Sequence, residues 1–483
     1  MSLPTKDIQF IADLVLLRAK ERCQYVDFRF EEIESEGLSS DSGTLAPVEK
    51  STSIGYAVRV LKDGAWGFAA SCVMDLGEYE RIVDTAIAIA EASKLVAQAP
   101  AQLAPVDSYR EKYQTPFQID PFALGLAEKQ DLLRAWQELF AKYPDLNSTS
   151  GWLDFRKTSK YFKSSEGSEI EQVLLHCGAG ITCGIVKGRR ERYERSFPSS
   201  SGQYVSGGYE SISTFGIEDN IARLASEAVA MQTAKPCPEG EMTIILSPDM
   251  ASLQVHESIG HPLELDRVFG AERNFSGTSF ATPDRLGSLK YASEIVNVYS
   301  DPSYPGGLST YGFDDEGVKA ERRPLIEKGT LAGYLSSRET AQRLGQLSSG
   351  AARADGWSNV PICRMTNLIL EPGNQSFAQM LAEVENGIYL ETVASWSIDD
   401  NRENFQMGTE IGWEIKNGKL GEMIIAPSYS GSTVSFWRNC SSVGSRDEWV
   451  LWGTPNCGKG QPGQNARTAQ GTAYLRFDKV KVG

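Results

Sequence analysis

The first half of the chain carries the same order of helical and strand periodicity twice. A stripe of apolar residues at helical spacing predicts a helix over residues 77–97. Lys62-Asp63-Gly64 separates two runs of alternating apolar residues and therefore predicts a β-hairpin. From about residue 127 the order recurs. The pattern predicts helices over 127–142 and 216–232, and between them four strands at 150–156, 159–164, 169–176 and 179–187.

Strand patterns dominate after residue 240. Met242 to Leu246 is a short apolar run that is typical of a buried strand. Ser247-Pro248-Asp249 offers a capping hydroxyl, a proline at the first helical position and an early acid, so a helix is expected over about 248–260. Further on, turn residues such as Lys416-Asn417-Gly418 separate many short apolar runs, which predicts large antiparallel sheets. Two helices are expected among these strands, at 336–345 and 376–386.

Together these patterns predict an α+β fold of two domains. The N-terminal domain, residues 1–234, would combine mixed sheets with long helices. Residues 235–240 have the proline- and glycine-containing composition of a linker. The C-terminal domain, residues 241–483, would be rich in antiparallel β-sheet and would carry the helix at 248–260. A chain of 483 residues supports this division, because single cores rarely grow beyond about 250–300 residues.

Charge and composition narrow the class of function. The net charge of −15 disfavours binding to phosphate backbones and anionic membrane surfaces, so we expect neither a nucleic-acid nor a membrane partner. No uncharged apolar stretch approaches about 18 residues, and the first residues do not resemble a secretion signal. The eight cysteines are scattered without a CxxC pair, which predicts reduced thiols and a cytoplasmic location.

Two of the three histidines lie together in Val255-His256-Glu257-Ser258-Ile259-Gly260-His261-Pro262. Zinc hydrolases commonly space two histidines four residues apart on one helix face, whereas the spacing here is five. On a regular helix the two rings would lie about 140° apart, so a shared metal requires a distortion. A turn widened by one residue, or a helix end at Gly260, would bring the rings together. Gly260 is conformationally permissive, and Pro262 disfavours helical geometry at His261.

A catalytic zinc usually has three protein ligands and an open position for water. Four residues are candidates for the third ligand: His176, Glu264, Asp266 and Cys457. Cys457 lies in a glycine-rich segment, and Lys459 would favour its thiolate form. His176 lies in an apolar run, which is more typical of a packed strand histidine. Spacing alone does not choose among the four.

Three segments together resemble the TldD/PmbA family of metallopeptidases, namely residues 256–261, Gly312-Phe313-Asp314-Asp315-Glu316-Gly317 and Cys457-Gly458-Lys459-Gly460-Gln461. Residues 25–29 and 58–71 are similar to the N-terminal half of the same family, so the resemblance covers nearly the whole chain. The HExxxH motif implies a TldD-like member of this family, since the PmbA-like members generally lack the motif.

The resemblance implies a zinc ion held by His256, His261 and Cys457, with Glu257 as the catalytic glutamate. It further implies an α+β architecture and a dimer around an enclosed cavity, formed with a second copy or with a PmbA-like subunit. The expected substrates are unfolded proteins or peptide precursors. Elementary chemistry agrees, because zinc lowers the pKa of bound water to about 7, which makes this water the nucleophile. Glu257 would then act as the general base.

Several roles stay open. Asp314, Asp315 and Glu316 form either an acidic surface turn or a group that orients the histidines, and His176 has no assigned role. The leading hypothesis is a cytoplasmic zinc peptidase. One alternative is a non-catalytic peptide-binding or partner-activating subunit of a TldD/PmbA-type complex, against which the intact ligands argue. The other alternative is a zinc hydrolase that acts on a non-peptide amide.

Overall fold

A computed structural model describes residues 6–97, 99–188 and 191–483. The N-terminal half forms one nine-stranded sheet covered by helices. Its strands are β1 (Tyr25–Asp41), β2 (Thr44–Leu45), β3 (Glu49–Lys62), β4 (Ala65–Ser71), β5 (Arg110–Gln114), β6 (Ser148–Ser164), β7 (Glu169–Val186), β8 (Arg192–Phe197) and β9 (Gln203–Ser206). Its α-helices are α1 (Lys6–Ala19), α2 (Leu76–Lys94), α3 (Leu126–Phe140) and α4 (Ile217–Ala230). Short 3-10 turns lie at Pro121–Ala123, Tyr209–Phe215 and Met231–Thr233.

The two predicted units form the two halves of this sheet. The strand order is β4-β3-β1-β6-β7-β5, with β2 on β1 and with β8 and β9 on β7. α1 and α2 pack on the first half, and α3 and α4 pack on the second. The predicted helices are confirmed, as is the hairpin at residues 62–64, where Lys62 pairs with Ala65.

The prediction of four short strands between residues 150 and 187 is wrong. β6 and β7 are continuous strands of 17 and 18 residues. β6 pairs with β1 on one edge and with β7 on the other along almost its whole length. Because both edges are hydrogen-bonded to neighbouring strands, these strands continue across positions where the apolar alternation is interrupted.

The C-terminal half contains the remaining strands and helices. Its strands are β10 (Gly240–Leu246), β11 (Val298–Ser300), β12 (Arg323–Glu327), β13 (Thr330–Leu331), β14 (Ala352–Arg353), β15 (Ile362–Cys363), β16 (Asn367–Leu370), β17 (Asn386–Ile398), β18 (Asn404–Lys416), β19 (Lys419–Ile425), β20 (Ser428–Ser432), β21 (Cys440–Val443), β22 (Val450–Lys459), β23 (Gln464–Thr472) and β24 (Leu475–Val482). Its α-helices are α5 (Pro248–Val255), α6 (Leu265–Val268), α7 (Arg273–Ser276), α8 (Arg338–Gln342), α9 (Phe377–Ala382) and α10 (Thr433–Arg438). Short 3-10 turns lie at His261–Leu263, Pro283–Arg285 and Arg446–Glu448.

Two sheets enclose the main core of this half. The seven-stranded sheet has the order β10-β17-β18-β20-β24-β21 with β19 on β18, and the six-stranded sheet has the order β13-β12-β11-β16-β23-β22. Most pairs are antiparallel, whereas β10–β17 and β16–β23 are parallel. The predicted α+β fold is confirmed, and so is the hairpin at residues 416–418. The division into domains at residues 235–240 stays a prediction.

The described residues include no helix with the length and apolar character needed to span a bilayer.

Buried ion pairs connect the two halves. Arg195 on β8 is fully buried and donates hydrogen bonds to Glu227 on α4 at 2.9 Å. It also donates to Glu391 on β17 and to Glu410 on β18, both at 2.7 Å. Burial raises the pKa of Glu410 to about 7 despite the nearby guanidinium. Arg195 therefore compensates carboxylates from both halves of the molecule.

α5 continues past Val255 into a widened turn over His256–Gly260. The backbone N–H of His261 donates to the carbonyl of His256, five residues earlier, which confirms the predicted widening. The expected reasons for it are wrong. Gly260 has an ordinary φ of −59°, and His261 before the proline is itself helical. Gly260 is needed for packing instead, because a Cβ there would lie 2.1 Å from Sδ of Met365.

Replacing Gly260 with alanine should destabilise the fold by about 1–3 kcal/mol, because the added methyl group overpacks the core. Urea unfolding measures the loss. Gly125→Ala is the matched control, since its Cβ meets no atom within 4 Å and its φ is −64°. The control should change stability by less than about 0.5 kcal/mol. Equal losses in both variants would contradict the packing explanation.

Arg195→Met should destabilise the protein by about 3–5 kcal/mol near pH 8, because it leaves buried carboxylates uncompensated. Without the cation, the folded-state pKa values of Glu391 and Glu410 rise above their unfolded values. The loss is therefore largest at high pH and should shrink towards about pH 5, where these groups are protonated. The control is Arg192→Met on the same strand, whose side chain is 54% exposed. A loss independent of pH would refute the electrostatic account.

Candidate metal centre

The widened turn brings the two motif histidines together. Their ring centroids are 5.0 Å apart and their planes are inclined by 85°. Cys457, near the end of β22, places Sγ 3.5 Å from Nε2 of His261. All three residues are buried, and one ligand atom from each lies within 4.8 Å of the other two. The site is thus assembled from one helix end and one strand about 200 residues away.

The other three candidates for the third ligand make different contacts. Glu264 accepts a hydrogen bond from Nδ1 of His261 at 2.9 Å, and Asp266 accepts one from Lys459 at 2.7 Å. His176 lies on β7 and lines a separate cavity. Within the described residues, His256, His261 and Cys457 form the one group with metal-ligand geometry.

The surroundings of the site favour a thiolate at Cys457 and a neutral ring at His256. Burial alone would raise the pKa of the Cys457 thiol, but the positive charges of His261 and Arg364 outweigh it and lower that pKa. Burial lowers the pKa of His256, so this ring stays neutral and can act as a ligand. Lys459, which we expected beside the thiolate, donates instead to Asp266 and to the carbonyl of Cys363.

A fully buried carboxylate orients His261. Glu264 accepts the hydrogen bond from Nδ1 of the ring, which leaves Nε2 directed at Cys457. Arg267 and Lys459 each place a nitrogen 3.5 Å from the same carboxylate. Burial would raise the pKa of Glu264, but Lys459 and His261 bring it well below its ordinary value. The sequence offered Glu264 as one of four candidate ligands, whereas in the structure it holds the ring of another candidate, His261, by a hydrogen bond.

The histidines open onto a cleft of about 630 Å³. Glu257 lines this cleft and is 6% exposed, with Oε2 3.6 Å from Nη1 of Arg402. Arg402 lies in the turn between β17 and β18. Sequence reasoning missed it, because no local pattern distinguishes this arginine from one on the surface.

The acidic cluster is not a surface turn, so that interpretation is wrong. Asp314, Asp315 and Glu316 are each at most 4% exposed. Asp315 binds Lys160 of β6, and Glu316 accepts from Arg59 of β3 at 2.9 Å. Asp314 accepts backbone N–H groups of its own loop, including that of Glu316 at 2.9 Å. These hydrogen bonds attach the loop to the first sheet and do not reach the histidines.

Comparison with known families identifies both halves of the chain. The profile described as PmbA/TldA metallopeptidase C-terminal domain matches residues 239–483. The profile described as PmbA/TldA metallopeptidase domain 1 matches residues 26–90.

Two similar proteins match this chain over most of their length, and a third matches it over about half. Metalloprotease MJ0996 of Methanocaldococcus jannaschii is 29% identical over 94% of this chain and 95% of its own. A metalloprotease of Archaeoglobus fulgidus is 31% identical over 86% of this chain and 91% of its own. A relative from Saccharolobus solfataricus, 27% identical over 56% of this chain and 57% of its own, is named zinc metalloprotease TldD homolog.

The fold is shared with TldE from Thermococcus kodakarensis. The two structures superimpose with a TM-score of 0.75 at 15% identity, over 99% of this chain and 100% of that chain. The family matches, the full-length relatives and the possible metal site at the HExxxH helix agree with one another. The chain belongs to the PmbA/TldD family and is a metallopeptidase.

Proposed function

We propose that this protein is a zinc-dependent peptidase of the TldD type that hydrolyses unfolded polypeptides or peptide precursors. The convergence of His256, His261 and Cys457 at the base of a cleft, with Glu257 beside them, carries the proposal. Two imidazole nitrogens and a thiolate are a donor set that suits zinc. Nδ1 of His256 is buried without a hydrogen-bond partner among the described residues, so the pocket contains a polar atom that these residues leave unsatisfied.

In the proposed mechanism, bound zinc supplies a Lewis acid that polarises the scissile carbonyl and increases the acidity of water. Glu257 takes the proton of the attacking water and delivers it to the nitrogen of the leaving amine. Glu264 keeps the ring of His261 in one orientation through its 2.9 Å hydrogen bond. Arg402 presents a positive charge to the cleft beside Glu257 and can attract the carbonyl oxygen of a substrate.

An unpaired strand edge supports a peptide substrate. β17 pairs with β10 only as far as Leu390, and β18 occupies its other edge. Beyond Leu390, no strand of the described chain pairs with the first edge. Val393, Trp396 and Ile398 in this part of β17 line the metal cleft. An extended polypeptide can add to such an edge through main-chain hydrogen bonds, which favours unfolded substrates over particular sequences.

The proposal includes a dimer, with a second copy or with a PmbA-like subunit. The fold shared with TldE supports such pairing, because a chain with the same fold can serve as the second subunit of the proposed dimer. The cytoplasmic location remains part of the proposal, and the free state of all eight cysteines supports it. A purely non-catalytic subunit is disfavoured, since the ligand set and Glu257 are both intact.

Glu257→Gln should reduce the cleavage of an unfolded polypeptide such as reduced casein by at least about 100-fold, because the general base is lost. Zinc content should stay at the wild-type level. Glu327→Gln, at an exposed position on β12, is the control and should retain full activity. The mechanism fails if zinc-loaded wild-type protein leaves the polypeptide intact, or if Glu257→Gln cleaves it at the wild-type rate.

Cys457→Ala should weaken zinc binding by at least about tenfold, because one of three protein ligands is removed. Metal analysis after dialysis against a chelator series measures the change. Cys183→Ala, which removes a buried thiol from the first sheet, should hold as much zinc as the wild type. Equal zinc retention in all three proteins would exclude Cys457 as a ligand.

A further inference from the structure

A second cavity, of about 210 Å³, lies between the first sheet and the C-terminal half. Arg156 on β6 and His176 on β7 are directly opposite each other in the antiparallel pair, so their side chains leave the sheet on the same face. Arg353 of β14 and Arg467 of β23 line the cavity from the C-terminal half. The proposed peptidase mechanism uses none of these residues.

The cavity contains polar atoms that the protein leaves unsatisfied. His176 is 5% exposed, and neither ring nitrogen has a hydrogen-bond partner among the described residues. Arg467 uses Nη2 to bind Asp154 at 2.8 Å, whereas its Nη1 is buried without a partner in the same part of the chain. Buried donors of this kind are normally satisfied in folded proteins, so they point to a ligand.

The two other arginines, unlike Arg467, have no carboxylate partner among the described residues. Arg353 is bonded to neutral oxygens: Oγ of Ser309, the carbonyl of Met365 and the carbonyl of Arg467. The guanidinium group of Arg156 makes neither a hydrogen bond nor an ion pair with any group in the described ranges. Both guanidinium groups are therefore available to compensate a negative charge from outside the protein.

Counting charges gives an excess of one cation at the His176 end. Three guanidinium groups face two carboxylates there, Asp154 and Asp355. Burial and the three arginines lower the pKa of His176, so its ring is neutral. At the other end, Lys160 and Arg29 together balance Glu31 and Asp315. Asp314 lines the same cavity, but its two oxygens accept the backbone N–H groups of Glu316, Val318 and Ala352, which compensate this carboxylate within its own surroundings.

We propose that this cavity binds a carboxylate group, held by the guanidinium groups of Arg156 and Arg467 and by a ring N–H of His176. A planar carboxylate matches the paired donors of a guanidinium, which makes arginine its preferred partner. The volume suits one amino-acid residue or a small free acid and excludes a longer peptide segment. Pro455 and Asn456 line both this cavity and the metal cleft, so the two cavities share a wall.

Calorimetric titration in chloride buffer tests the proposal with N-acetylalanine, its uncharged amide and acetate. The wild type should bind N-acetylalanine and not the amide. Arg156→Gln, which loses no ion pair, should bind at least tenfold more weakly. Arg134→Gln on the exposed face of α3, where the arginine pairs with Asp131, should bind like the wild type. Acetate binding as tight as that of N-acetylalanine identifies a free small acid as the ligand, and weaker acetate binding identifies a peptide terminus.

A second measurement reports on the site directly. The chain has three histidines, so His176→Gln assigns the ring signals of His176 in a ¹⁵N-histidine spectrum. These signals should shift with N-acetylalanine and stay in place with the amide. The proposal is overturned if neither acid binds, if the amide binds equally well, or if Arg156→Gln binds like the wild type. Because both measurements detect binding alone, their outcome is independent of peptidase activity.

Discussion

The geometry of the candidate metal site depends on one backbone constraint, the widened turn between His256 and His261. A regular helix would hold the two rings about 140° apart, whereas the five-residue hydrogen bond brings their centroids to 5.0 Å. The turn is held by the core that surrounds it. The hydroxyl of Tyr291 donates to the carbonyl of Ser258, and the indole of Trp437 donates to the hydroxyl of the same serine. Buried partners thus satisfy groups that a helix end leaves open.

One strand, β22, places both the thiol of Cys457 and the buried cation of Lys459 beside this turn. Cys457 and Lys459 are two residues apart on β22, so both side chains point to one face. Lys459 binds Asp266 at 2.7 Å and lies 3.5 Å from Glu264, which in turn holds His261. Removing one member of such a buried network leaves another charge uncompensated. The network therefore fixes the position of the strand relative to the histidines as well as the orientation of the ring.

A bulge in β22 links the two cavities. The register with β23 shifts between Thr454 and Cys457, so Pro455 and Asn456 leave the regular ladder. Bulges of this kind change the direction of side chains and are frequent beside functional sites. Here one irregular segment forms part of the wall of the metal cleft and of the arginine-lined cavity, directly before the thiol that completes the candidate metal site.

The sequence by itself determined the local elements and the candidate chemistry: the helix at 248–260, the hairpins at 62–64 and 416–418, and the need for a distorted backbone between His256 and His261. Helix capping, turn residues and residue spacing depend on only a few neighbouring positions, so they can be recognised in a single sequence. Residue spacing left the third ligand open, and the tertiary structure brings Cys457, which the family resemblance had implied, beside the histidines. Tertiary structure alone decided that Arg402 faces Glu257 and that Gly260 serves packing. These outcomes depend on contacts between segments up to about 200 residues apart, which no local pattern encodes.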